Sequence, residues 1–455
     1  MKKGIFSLLT LLLVLLLPLQ TFAATIDDVR YIIDSSYVGE IDGDIYNADS
    51  VDEIIDMLDP YSAYFTNEEY ESFMNSIDQT TVGIGVVIEK HEKGILILDV
   101  IENGSAINYG VEDGDIITAV NGQSVADMTT EQVSSLIKGK EGTSVTVTLL
   151  KADGSKNTVT IIRKPFTPAN VQTELLYGHV GYIQMSSFTT NGADEVAKAY
   201  EELKKEGATS YILDLQNNGG GYVSTAEELI GMFPGASDAY KLIETSGTTL
   251  KHAIYQPVQF PMNTRLLVNR LSASASEMTA VALLDQDAAI IYGEKTFGKG
   301  TMQGFYRLSD GMLKLTIGEF RGPNNTIVRE TGVTPHIQTT SNPIYQAHYD
   351  SIKETLVNYK ELATLTNVPT TKTFKVKFNH FVGGTVDTDS IELVALGGQT
   401  VDITTEVNES EIIVTPNEEL INGAEYMLII HPSIENQDGK QLKAGSYLHI
   451  TVEAE

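Results

Sequence analysis

Val268-Asn269-Arg270-Leu271-Ser272-Ala273-Ser274-Ala275-Ser276-Glu277 decides the reading. An apolar run ends at Val268, small residues turn the chain, and the pattern predicts a helix over 276–284. A hydroxyl at such a turn has helix N–H groups nearby to stabilise developing negative charge. Downstream, Thr296-Phe297-Gly298-Lys299-Gly300-Thr301-Met302-Gln303 sets a lysine between two glycines, on backbone that can approach other segments closely. Upstream, Asp214-Leu215-Gln216-Asn217-Asn218-Gly219-Gly220-Gly221 follows a predicted strand. A glycine run there can aim N–H groups at an oxyanion. It lacks the Lys-Ser/Thr ending of a nucleotide loop.

Working outward, residues 170–340 alternate strand and helix, which predicts a layered α/β core. Strands are expected at 181–185, 210–215, 265–268, 288–292 and 313–319, and helices at 194–205, 225–232 and 276–284. Residues 81–163 read as a small β-rich module with strands at 82–88, 95–100, 115–120, 144–150 and 157–162. Its one helix opens on a Thr129/Gln132 capping box, carries Val133, Leu136 and Ile137 on one face, and stops at Gly139. Residues 25–80 read as helical and acidic, broken at Leu58-Asp59-Pro60-Tyr61-Ser62-Ala63-Tyr64-Phe65. A connecting helix is expected over 344–364. Residues 372–455 return to strand alternation, which predicts an all-β sandwich.

The mature chain is expected to start after a secretory signal at 1–24. Lys2-Lys3, a short apolar run from Ile5 to Leu17 and Thr21-Phe22-Ala23-Ala24 fit one, an uncleaved anchor being the alternative. The domain plan is then a helical segment 25–80, the β module 81–165, the α/β core 166–340, a connecting helix 341–370 and a β domain 371–455. Among 455 residues there are 61 acidic and 31 basic ones, for a formal net charge of −30. That charge repels phosphate backbones and argues against nucleic-acid partners. The absence of Cys excludes disulfides, thiol nucleophiles and Cys–metal sites, and in an exported chain it suggests a Gram-positive-like secretome. No cofactor and no metal are expected. His380, His431 and His449 are scattered on strands and read as structural. No Gly-x-Ser-x-Gly elbow and no His-Glu-x-x-His pair occurs.

Together, the ordered motifs resemble the carboxy-terminal processing (tail-specific) proteases. Leu58–Phe65, Val82-Gly83-Ile84-Gly85-Val86, the Glu112–Gly122 run and Thr331-Gly332-Val333-Thr334-Pro335-His336-Ile337 extend the likeness over about residues 26–340. The resemblance implies a multidomain α/β fold. A PDZ module is inserted before a crotonase/ClpP-like protease core, and an all-β domain resembling bacterial immunoglobulin-like domains follows. It places the nucleophile at Ser274, the general base at Lys299 and its supporting residue at Gln303, with oxyanion donors at the N–H of Ala275 and Gly220. Ser272 and Ser276 are the neighbouring alternatives, Ser276 being expected to cap the helix. A lysine can act as base only when neutral, so Lys299 is expected to be buried, and Gln303 would orient it without adding charge.

The PDZ reading implies that a peptide tail adds beside Val86–Ile88 against Val133 and Leu136, its carboxylate meeting N–H groups of Gly83, Ile84 and Gly85. The implied partners are proteins or peptides with free C-terminal tails. A homodimer through 26–76 and 344–364, and cell-wall or S-layer docking by the last domain, complete the expectations. Gln216 and Gly219 stand where the family pattern has Arg and Pro; Arg270-Leu271 stands where it has Gly-Gly or Gly-Ser. The rival readings are a non-catalytic, tail-binding surface scaffold on a protease-like fold and a crotonase-like acyl-transfer enzyme.

Overall fold

A computed structural model describes residues 26–454 apart from 127, 129, 380, 381 and 383–387. The expected signal at 1–24, Thr129 of the capping box and His380 lie outside the described residues. The chain divides into two compact units, one combining the described chain up to Glu71 with Gln303–Ile317, the other combining Ser72–Met302 with Gly318–Glu455.

In the first unit the helices Ile26–Ser36 and Val51–Asp56 bury Val29, Ile33 and Ile54 with Leu313 and Leu315. Ser50 caps the second helix, accepting from the N–H of Glu53. The predicted break after Leu58 becomes a turn held by Asp59, whose carboxylate accepts from Tyr61 N–H at 2.8 Å. The chain then enters a strand, Ala63–Thr66, antiparallel to Gly311–Lys314.

The second unit holds the core sheet. Val180–Met185, Ser210–Asp214, Arg265–Val268, Ile290–Gly293 and Ile337–Gln338 run parallel in that order, with Val171–Leu176 antiparallel at one edge. Successive residues bury on opposite faces, as a sheet covered on both sides requires. Leu213, Leu266 and Ile291 meet the helices Gly192–Glu206, Val223–Ile230 and Ala275–Asp285, while Ile212, Leu267 and Tyr292 meet Ala347 of the helix Pro343–Thr355. Ala275–Asp285 is buried all round from Ala275 to Leu283. Small and apolar residues on every side make it a core helix.

The β module is a meander: Val86–His91, Gly94–Val100, Ile116–Val120, Ser144–Leu150 and Lys156–Ile162 pair antiparallel in order, with the helix Thr130–Ile137 against them. The single strand expected over 82–88 is broken. Gly85 sits at φ +78°, where a Cβ would lie 2.4 Å from the Gly104 Cα. Only glycine fits that approach, so Thr81–Gly83 leaves the meander and pairs with Lys164–Phe166.

The helix expected over 344–364 ends at Thr355. Asn342 caps it and Pro343 opens it. Tyr359 and Leu362 are off the helix, because Lys360–Glu361 and Leu365–Val368 pair with Ser446–Val452 in the C-terminal β-sandwich. A second sheet of Phe374–Lys377, Glu411–Pro416 and Ile403–Asn408 closes that domain over Leu393, Ile412, Val414, Leu428 and Ile450.

The sandwich is docked on the core. Tyr349 and Ile352 of the helix pack with Val394, Leu396, Met427, Ile429 and Tyr447. His348, fully buried, lies between Tyr177 O, to which its Nε2 donates (2.8 Å), and Gly397 N–H, from which its Nδ1 accepts (2.8 Å). Both bonds require the neutral ring. Burial pushes this histidine down to about 4. Nearby, burial raises Glu392, but hydrogen bonds from His431 and Tyr177 outweigh it and hold the carboxyl below its usual range. Glu425 is held down in the same way by His449 and Ser341.

Candidate active site

The three serines of the decisive stretch have different environments. Ser272 and Ser276 are fully buried. Ser272 Oγ donates to Leu215 O (2.7 Å), and Ser276 Oγ donates to Asn218 O (2.8 Å). Ser274 is half-exposed. It occupies the position before the helix, so the cap expected at Ser276 falls on Ser274 instead. Its backbone is at φ +57°, ψ −112°, a conformation rare for a residue with a side chain. Strain of this kind costs of the order of 1–3 kcal/mol and persists where surrounding contacts over-determine it.

Those contacts converge on Glu277, quoted in the motif but given no role from sequence. Glu277 is fully buried and its two oxygens accept four hydrogen bonds. Oε1 receives Thr296 Oγ1 and Gly298 N–H, both at 2.6 Å. Oε2 receives Ser274 N–H at 3.0 Å and Lys299 N–H at 2.8 Å. A single oxygen therefore holds the backbone of the expected nucleophile and that of the expected base. Burial raises the Glu277 carboxyl, and the four bonds pull the other way. The signal was in the sequence: an acid three residues after a serine at a helix start.

Lys299 is half-buried between Gly298 and Gly300. Gln303 belongs to the first unit, where its Nε2 donates to Thr316 Oγ1 (3.3 Å), which in turn donates to Asp59 (3.1 Å).

The glycine loop walls the site. At φ +101°, a Cβ on Gly220 would lie 2.8 Å from Ser274 Cβ and 2.9 Å from Ala275 N. Any side chain there would fill the space beside the hydroxyl. Gly220 N–H donates to Asn218 Oδ1 at 2.9 Å, so this expected oxyanion donor is engaged within its own loop. Ala275 N–H stands in the first helical turn, which has no preceding helical carbonyl to receive it. Three asparagines hold the walls together. Asn218, fully buried, donates from Nδ2 to Met185 O (2.8 Å), and its carbonyl accepts Ala273 N–H (3.0 Å). Asn269 and Asn217 bond reciprocally, at 3.0 and 2.9 Å, across the two loops.

The departures from the family pattern are local. Gln216 hydrogen-bonds Asp214 through its N–H (2.7 Å) and its side chain (3.0 Å). Burial raises that carboxyl. A Cβ at Gly219 would meet nothing within 4 Å. Leu271 and Phe297 are 53% and 57% exposed, an apolar pair flanking the site in sequence.

In the β module, Ile84 and Val133 are core residues with buried side chains. Val86 and Leu136 remain half-buried on the strand and helix that would flank a bound tail. Gly83 ends its short strand opposite Lys164. The carbonyls of Ile84 and Gly85 accept from Ala106 N–H (2.7 Å) and Ile101 N–H (3.1 Å), which fixes the loop.

Sequence profiles match in the same order. "PDZ domain" covers residues 96–151, "Peptidase family S41" residues 179–339, and "Bacterial Ig-like domain" residues 355–451. A "Probable CtpA-like serine protease" of Staphylococcus aureus (strain MSSA476) is 31% identical over 396 residues, 85% of this chain and 74% of the relative. The chain belongs to peptidase family S41. The "Carboxy-terminal processing protease CtpA" of Bacillus subtilis (strain 168) is 32% identical to this S41 chain over 358 residues, 76% of each. Among solved structures, a photosystem II D1 C-terminal processing protease is similar at 23% identity and a TM-score of 0.45, over 72% of this chain and 95% of that one. The S41 chain is thus a serine peptidase with a PDZ domain before its core and an Ig-like domain after it.

Proposed function

We propose that this S41 chain is an extracytoplasmic endopeptidase that cleaves proteins presented by their C-terminal tails, through an acyl-enzyme on Ser274. The observation that carries it is the selective exposure of Ser274. Ser272 and Ser276 spend their hydroxyls on carbonyls, while Ser274 remains reachable with its N–H on the oxygen that also holds Lys299. Lys299 Nζ, neutral in the closed site, takes the hydroxyl proton as Ser274 Oγ attacks the peptide carbonyl. The same proton leaves with the amine product, and water then releases the acyl group. Ala275 N–H receives the oxyanion, and Gly220 N–H joins by exchanging its Asn218 partner. Gln303 is assigned the support of Lys299. Leu271 and Phe297 offer apolar surface to a substrate side chain near the scissile bond.

The PDZ domain reads the chain end, and its occupation aligns the core. The carboxylate goes to the N–H groups of Gly83, Ile84 and Gly85, and the tail lies along Val86–Ile88 against the helix that carries Val133 and Leu136. The apolar run Ile5–Leu17 and the Ig-like domain support an extracytoplasmic address. The domain boundaries set out from sequence, dimer formation and wall docking are further parts of this reading. The test is cleavage of casein and of a tailed peptide by the intact chain, with Ser274→Ala and Lys299→Ala as controls. Turnover by the parent alone, and tighter binding of a free-acid peptide than of its amide, support the proposal. Undiminished turnover in either variant contradicts the mechanism, and equal affinity contradicts tail reading. No turnover by the parent would favour the scaffold.

A further inference from the structure

We infer that Asp78, on the segment leading into the PDZ domain, is a positioning residue for the Gly220 wall of the active site. This rests on the proposed role of that wall.

Asp78 follows the helix Asn67–Ile77 and is half-buried. Its Oδ1 accepts both the N–H and the hydroxyl of Thr190, each at 3.1 Å, and its Oδ2 accepts the Tyr222 hydroxyl at 3.1 Å. Tyr222 comes two residues after Gly220. Thr190 closes the loop 186–190, which touches Gly220 directly. Phe188 N–H donates to Gly220 O at 3.0 Å, Tyr222 N–H donates to Phe188 O at 2.8 Å, and Phe188 forms a parallel bridge with Gly221. Ser187 Oγ reaches both Ile77 O (2.8 Å) and Gly220 O (3.3 Å).

The segment leaving the PDZ domain ends on the same loop. Asn170 accepts Ser187 N–H on Oδ1 (2.9 Å) and Ser186 N–H on its carbonyl (2.9 Å), and its Nδ2 donates to Thr189 Oγ1 (3.2 Å). Both connections of the PDZ domain are therefore bolted to residues 186–190, and those residues carry Gly220. A carboxylate that accepts from two loops at once fixes their spacing, and removing it leaves three donors without that acceptor. Small displacements of an oxyanion wall lower turnover more than binding.

The test uses the full-length chain and three variants, Asp78→Ala, Asp78→Asn and Tyr222→Phe. Three quantities are read: kcat and KM on a tailed peptide, affinity for a fluorescent free-acid peptide, and hydrogen–deuterium exchange across 217–222. Asp78→Ala should exchange at least tenfold faster in that segment and lose at least tenfold in kcat, with KM and peptide affinity within about twofold. Asp78→Asn, which keeps one accepting oxygen, should recover most of the loss. Tyr222→Phe removes a single hydroxyl and serves if Asp78→Ala fails to fold; it should show the same exchange change in smaller degree. Unchanged exchange at 217–222 overturns the inference, as does a rise in kcat. Exchange is read without turnover, so an inactive parent would sink the peptidase proposal and leave this result to decide on its own.

Discussion

Glu277 concentrates the residue-scale argument. Its four donors all point at carboxylate oxygens. In Glu277→Gln the amide NH2 must face at least one backbone N–H, and each buried donor left unpaired costs about 1–3 kcal/mol. A lower thermal midpoint and a kcat reduced at least tenfold are expected, measured by calorimetry and steady-state cleavage. Gly219 gives the opposite sign. Its φ is outside the left-handed range and a Cβ there has open space. Gly219→Ala should stabilise the chain by about 0.4–1 kcal/mol through the unfolded state, seen as a raised denaturation midpoint. Sequence pointed to Ser274 and Lys299 through the order of their motifs and the family resemblance. It held no physical ground for setting Ser272 and Ser276 aside, because that depends on which hydroxyls meet Leu215 O and Asn218 O, carbonyls distant along the chain.

At the scale of elements, four of the parallel strands and the three helices over them were readable, since apolar runs bounded by turn residues mark buried strands. The strand expected at 313–319 belongs instead to an antiparallel sheet, and the short parallel strand Ile337–Gln338 was not foreseen. The misread elements have physical causes. The strand expected over 82–88 contains Gly85, whose break follows from contact with Gly104. The helix expected to reach 364 stops at Thr355 because the next residues pair with Ser446–Val452, a partner no local pattern announces. The strand Ala63–Thr66 likewise exists through its distant partner Gly311–Lys314. The helix Ala275–Asp285, buried on all sides, should tolerate truncation poorly. Leu283→Ala should cost about 2–5 kcal/mol, measured by denaturant unfolding, and should lower activity in proportion to the folded fraction.

For the whole molecule, the Ig-like domain is packed on the protease core through helix Pro343–Thr355, and this docking carries a pH dependence. His348 holds about 4 in the folded chain, below its unfolded value near 6.5. The unfolded chain therefore takes up the proton first. Stability is complete above pH 6.5 and declines as pH falls towards 4, by about 3 kcal/mol. Glu392 and Glu425, held low, add losses of the same sign at more acidic pH. Unfolding midpoints between pH 6.5 and 5 should fall in the parent and stay nearly flat in His348→Gln. The account as a whole stands on Ser274 being made nucleophilic by Lys299. Intact-mass analysis after treatment with a fluorophosphonate, followed by peptide mapping, tests that most directly. The account predicts one adduct, on Ser274, formed by the parent and absent from Lys299→Ala. An adduct on another serine, or labelling of Lys299→Ala at the parent's rate, would contradict it.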